Sequence, residues 1–164
     1  MRIRLVLIIA VITSCAKPLS EEQIIVKEFN SHAYDFSLSY SDGQYELTSN
    51  KVISANEIQS SLSGQTWRIG YVGWITPTGY TEDHSVGGNG LVTLTFIGDK
   101  VKMVTKMPPL GDILEQEEAV LFGTNSLSIG EIKMLVCSIS DTKVYYLEAT
   151  HYDNFWHYKC LEKQ

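Results

Sequence analysis

The sequence predicts an all-β fold: an eight-stranded antiparallel up-and-down barrel preceded by a short helix and a β-hairpin. Three observations predict it. From Thr66 onward, segments rich in Val, Ile, Thr, Tyr and Trp are separated by turn residues at short, regular intervals. The separators, Gly98-Asp99, Gly123-Thr124-Asn125, Gly130-Glu131, Ser140-Asp141 and Tyr152-Asp153-Asn154, suit tight connections between antiparallel neighbours. Eight short strands joined by hairpins leave two open edges, and closing the sheet on itself removes both.

The chain begins with a positive segment, Arg2 and Arg4, and an apolar run of eight, Leu5 to Ile12. A run this short falls well below the roughly 20 residues that span a bilayer as a helix, so it reads as a signal sequence occupying residues 1 to 14. Ile12-Thr13-Ser14-Cys15 resembles the bacterial lipobox, an aliphatic residue and two small ones before the cysteine that is lipidated. That resemblance implies cleavage before Cys15 and acylation of its thiol. With about 0.8 kcal/mol per buried CH₂, two or three acyl chains hold a protein on a lipid bilayer essentially permanently. Position 16 is Ala rather than the aspartate of the best-known inner-membrane sorting rule, which points to the outer membrane. Glu21 and Glu22 resemble the acidic surface-export signals of some Bacteroidetes lipoproteins and leave either leaflet open.

Residues 15 to 19 form the lipidated tether, with Pro18 near its end. Ser20-Glu21-Glu22-Gln23 has capping-box spacing and is followed by Ile24, Ile25, Glu28 and Phe29 at helical separations, so a short helix starts there. Ala33 to Tyr40 then alternates, with Tyr34, Phe36, Leu38 and Tyr40 on one face. Ser41-Asp42-Gly43 turns it into Gln44 to Thr48 as a hairpin. Ser54 and Glu57 open a second helix of about two turns through Leu62, completing an N-terminal region of residues 20 to 62.

The expected barrel, residues 63 to 164, has strands at Thr66 to Ile75, Leu91 to Ile97, Val101 to Lys106, Ile113 to Phe122, Ser126 to Ile129, Ile132 to Ile139, Lys143 to Thr150 and Phe155 to Leu161. Ile113 to Phe122 carries Glu115-Gln116-Glu117-Glu118-Ala119 and would equally suit a helix. The capped helix followed by Leu62-Ser63-Gly64-Gln65-Thr66-Trp67 resembles the lipocalin-like lipoproteins common in Bacteroidetes, over about residues 55 to 164. An eight-stranded barrel has room for a packed core or one small ligand.

The aromatic faces of the strands are the candidate site. Trp67, Ile69 and Tyr71 share one face, as do Val92, Leu94 and Phe96, and as do Trp156 and Tyr158. If these faces point inward, Trp67, Tyr71, Phe96, Trp156 and Tyr158 line a cavity that grips an apolar or amphipathic molecule. Rings that merely fill the core are the competing reading. Pro77 to Gly90 is long for a hairpin connection and would serve as a lid over the mouth. Its Glu82, Asp83 and His84 read as a solvated acidic tip rather than metal ligands, and no metal or cofactor is expected.

Removing the signal leaves 11 basic against 19 acidic residues, a net charge of −8, which argues against nucleic acid as a partner. His151, Asp153 and His157 flank the last turn and suit a catalytic or metal role, which a turn exposing polar residues explains equally well. No His-Glu-x-x-His, Gly-x-Ser-x-Gly or Cys-x-x-Cys is present, so no catalytic residue is assigned and no enzyme is expected. The expected partners are the bilayer, a small apolar ligand or, alternatively, another envelope protein on which a filled barrel docks. Cys137 and Cys160 fall on next-but-one strands of the meander. Strands spaced about 4.8 Å apart put them roughly 9 to 10 Å from each other, beyond the about 7 Å reach of a disulfide, so both thiols are expected free.

Overall fold

Ser20 starts the first helix as its spacing requires. In the computed structural model, which describes residues 18–32, 34–82, 92–107, 112–149 and 155–164, its hydroxyl accepts from the Gln23 amide at 3.3 Å. The Gln23 side chain in turn accepts from the Ser20 amide at 3.0 Å, completing a capping box for α1 (Glu21–Asn30). The hairpin of β1 (Phe36–Ser41) and β2 (Gln44–Ser49) turns through Asp42 and Gly43, both at positive φ, the twist a two-residue loop needs. Asn30 ends α1 by clipping onto β1, exchanging two 2.8 Å hydrogen bonds with the Leu38 backbone. Ser54 caps α2 (Ala55–Leu62) by accepting from the Glu57 amide at 3.2 Å.

The barrel consists of β3 (Thr66–Thr76), β5 (Val92–Ile97), β6 (Lys100–Met107), β7 (Asp112–Gly123), β8 (Ser126–Ile129), β9 (Ile132–Ile139), β10 (Lys143–Ala149) and β11 (Trp156–Lys163). Each pairs antiparallel with the next, and β11 closes the ring on β3 from Trp67↔Lys163 to Ile75↔Trp156. These are the eight strands expected from the sequence, with ends shifted by a residue or two. β7 is a strand rather than a helix because Val120 enters the core while Glu115 and Glu117 lie beside Lys102 and Lys100 of β6, at 2.8 and 4.0 Å. Such cross-strand charge pairs contribute about 0.2 to 1 kcal/mol each.

One element was not anticipated. Gly79–Glu82, inside the connection expected to be a lid, forms β4 and pairs with the end of β3 from Thr76↔Gly79 to Gly73↔Glu82. Residues 83–90 of that connection lie outside the described residues, as do Cys15, the signal segment, His151 and Asp153.

Two extra residues decide which way side chains point. Between β11 and β3 the register passes from Lys159↔Tyr71 to Tyr158↔Gly73, leaving residue 72 unpaired as a bulge. Between β10 and β9 it passes from Tyr145↔Ser138 to Tyr146↔Val136, leaving Cys137 unpaired. Each bulge reverses the alternation beyond it. Trp67 and Ile69 therefore pack in the barrel, whereas Ile75 packs outside.

The result is two cores on opposite sides of one wall. The inner core holds Trp67, Leu94, Phe96, Val101, Val120, Leu127, Val136, Val144, Tyr146 and Leu161, closed from below by Ile53, Ile58 and Leu62 of the α2 region. Asn125 ties that region on: its side chain accepts from the Ile53 amide at 3.2 Å and donates to the Lys51 carbonyl at 2.7 Å. The outer core joins α1 and the hairpin to the barrel through Phe29, Phe36, Leu38, Ile75, Cys137 and Leu147. Residues 20–62 thus divide their work, α2 plugging one end and the helix-hairpin unit covering the wall.

Candidate functional site

At the α2 end the barrel is filled. Trp67 is 1 % exposed and Phe96 0 %, and the Trp67 indole N–H donates to the Leu62 carbonyl at 3.3 Å. Both rings belong to the plug that joins helix to barrel, the core-filling alternative for these two positions.

Toward the other end the inward positions change character. Ile69, Val92 and Met103 are only partly buried, and above them the wall carries Trp74, His157, Lys159 and Glu148. Trp74 stands opposite His157 in the β3–β11 register, their ring centroids 4.4 Å apart at 71°. Phe155 packs on Trp74 at 4.7 Å. The Lys159 Nζ lies 2.6 Å from Glu148 Oε2, with both side chains about a quarter exposed or less. Burial, followed by the neighbouring Lys159 charge, lowers the pKa of His157 below its ordinary value, while Glu148 opposes the shift. Burial also raises the pKa of the Tyr146 phenol beneath this group, keeping it a neutral hydroxyl. These inward positions thus bring together an indole, an imidazole and an ion pair beside apolar side chains, the mix of apolar wall and a few polar groups typical of small-molecule sites.

The candidate rings named from the sequence do not converge. Trp67 and Phe96 lie in the filled end, and Tyr71 is placed in β3 opposite Lys159, its side chain outside the described residues. Trp156 and Tyr158 do share a face, but it is the outer one, because Leu161 of the same strand takes the inner position and fixes the alternation. Trp156 lines an apolar surface groove of about 250 Å³ with Leu47, Leu135 and Leu147. Tyr158 meets Phe36, Tyr80 and Tyr145. Of the inward rings, Trp74 was not singled out in the sequence, and His157 was read as part of a polar turn. Plain alternation puts Trp74 on the opposite face from Trp67, and the bulge at residue 72 turns it to the inner side, a reversal that no periodicity signal marks.

Among the described residues no three His, Cys, Asp or Glu side chains are placed to hold a metal ion, and no helix is long and apolar enough to cross a membrane. No protein-family model matches this chain, and no curated protein matches its sequence.

Proposed function

We propose that this protein is a cell-envelope lipoprotein of the lipocalin-like kind, held on the outer membrane by acylated Cys15, whose barrel accepts a small apolar or amphipathic ligand. The observation that carries the binding part is the division of the barrel interior. Most inward side chains beside α2, Trp67, Phe96 and Leu161 among them, are fully buried, whereas Ile69, Val92 and Met103, on the side of Trp74 and His157, are only partly buried. An apolar body fits against Ile69, Val92 and Met103. A polar end would meet His157 and the Lys159–Glu148 pair. The anchor rests on the Ile12 to Cys15 motif and the short apolar run before it.

Titration with an amphipathic ring probe, anilinonaphthalene sulfonate, tests the barrel as the site. Ile69→Trp places an indole in the barrel interior and weakens probe binding about ten-fold, equivalent to about 1.4 kcal/mol. Unchanged affinity in a folded variant places the ligand elsewhere. For the anchor, palmitate label enters the wild-type protein in its own host and is absent from Cys15→Ser. Label in that variant means the lipobox reading is wrong.

The second reading, an interaction subunit with a solid barrel, is favoured by the closely filled end around Trp67, Phe96 and Leu161. It would leave the ring probe unbound and bring a protein through purification instead.

A further inference from the structure

Four rings outside the barrel wall form a closed circuit. Tyr34 stacks on Phe36 with centroids 5.2 Å apart and planes within 4°. Phe36 meets Tyr158 at 5.6 Å and 64°, Tyr158 meets Tyr80 at 6.1 Å and 87°, and Tyr80 returns to Tyr34 at 6.3 Å and 71°. The rings come from three parts of the chain: the segment entering β1, the unanticipated β4, and β11. Gly73 permits the approach, because a Cβ there would come within 2.6 Å of the Tyr80 ring. The Tyr34 and Asp35 backbone is held by Asn50, which donates from its side chain to the Tyr34 carbonyl and from its amide to the Asp35 carbonyl, each at 2.9 Å.

The circuit surrounds a pocket of about 180 Å³ whose remaining lining residue is Asp35. That is too small for a drug-sized ligand, which takes about 300 Å³ or more, but fits a compact head group. Aromatic faces carry negative quadrupole density, and a carboxylate beside them adds a full negative charge. A metal ion or a bare ammonium would surrender strong hydration to enter. An alkylated ammonium spreads its charge over methyl groups, gives up little hydration, and presents an apolar surface to every ring. Anions are repelled by Asp35. Lys51 pairs with Asp35 at 3.3 Å, but the two side chains are 61 % and 42 % exposed, so this ion pair is weak and exchangeable.

We propose that the Tyr34–Phe36–Tyr80–Tyr158 box with Asp35 is a binding site for a small alkylated ammonium cation, either a free solute or the head group of a choline lipid. The site lies outside the barrel and stands independently of the ligand proposed there.

Calorimetric titration of the soluble domain, residues 18–164 with the rest of the chain removed only after its fold is verified by circular dichroism, or of the full chain in detergent, uses choline and its neutral isostere 3,3-dimethylbutan-1-ol. Choline binds about ten-fold or more tightly than the isostere, because charge contributes as well as shape. Asp35→Asn narrows that preference. Lys51→Met, a surface change that leaves the rings untouched, removes the competing cation and tightens choline binding. Tyr80→Leu opens one wall and weakens it. Phosphatidylcholine vesicles that displace choline identify a lipid head group, and vesicles that do not displace it identify a free solute; both stand with the site. Equal affinity for choline and the isostere, absence of choline binding at millimolar concentration, or a Lys51→Met variant that binds choline no more tightly overturns the assignment.

Discussion

Lys159 and Glu148 face each other inside the barrel across β11 and β10, with 2.6 Å between Nζ and Oε2 and side-chain exposures of 20 % and 24 %. At that burial the pair is held less by Coulomb attraction than by the cost of separating it. Removing one partner strands a partly desolvated charge, whereas removing both does not. Lys159→Met is expected to destabilise the protein by about 1 to 3 kcal/mol, and Lys159→Met with Glu148→Met to recover most of that loss. Urea denaturation midpoints of the two singles and the double decide it. Additive losses would mean that the residues do not act as a pair.

The Trp67 indole packs against the α2 plug and donates to the Leu62 carbonyl. Trp67→Phe removes that bond and leaves the carbonyl only the Gln65 amide at 3.3 Å, a loss expected to cost about 1 kcal/mol. Trp67→Ala opens a cavity as well and costs about 3 to 5 kcal/mol. Hydrogen exchange at Ile58 and Leu62 should accelerate in step. A loss below about 1 kcal/mol in the alanine variant would show that the plug holds without this ring.

The strands of the barrel were legible because local chemistry repeats the global plan: β-branched and aromatic runs end at residues such as Gly98, Asn125 and Gly130, all of which adopt positive φ. The two helices were legible from Ser20 and Ser54. The inward group of Trp74, His157, Lys159 and Glu148 was not. A single unpaired residue at position 72 exchanges inside for outside along the rest of β3, and nothing in an alternating sequence announces it. Trp156 and Tyr158 were correctly grouped on one face, but grouping does not say which side of the wall that face meets. Lys159 and Glu148 are eleven residues apart, and only the β10–β11 register brings them together. Strand β4 escaped because Gly79-Tyr80-Thr81-Glu82 has no apolar alternation and is held through backbone pairing with β3.

Acid should weaken the fold in two stages. The His157 pKa is lowered in the folded protein, so the unfolded chain takes up that proton first and stability falls as pH drops below about 6.5. The Glu162 carboxyl is also held low, chiefly by hydrogen bonds from Arg68 and Lys143, the latter at 2.9 Å. Its contribution is present above the ordinary glutamate range and is lost as pH falls through the lower folded value. Denaturation midpoints measured from pH 8 to pH 3 should show both declines. His157→Gln removes the first and Glu162→Gln the second. A variant that leaves its stage unchanged would show that its residue is not the group responsible.

Cys137 and Cys160 are free and buried, with β10 between their strands. Burial pushes the Cys137 thiol up to about 12, and burial with the nearby Glu162 charge raises that of Cys160. Neither forms thiolate readily at neutral pH. Iodoacetamide at pH 8 should modify both slowly in the native protein and both rapidly after unfolding without reductant. Failure of both to react once unfolded would establish a bridge and a different strand order.

Whether the protein is a lipid-anchored barrel that carries a small molecule is decided by native mass spectrometry of the full-length protein extracted from its own membrane. A chain beginning at Cys15 with the mass of its acyl groups is expected, together with a noncovalent small molecule that departs when the barrel unfolds and is missing from Ile69→Trp. An unacylated chain beginning at Met1, or an acylated one that carries only another protein and no small molecule, would contradict this reading.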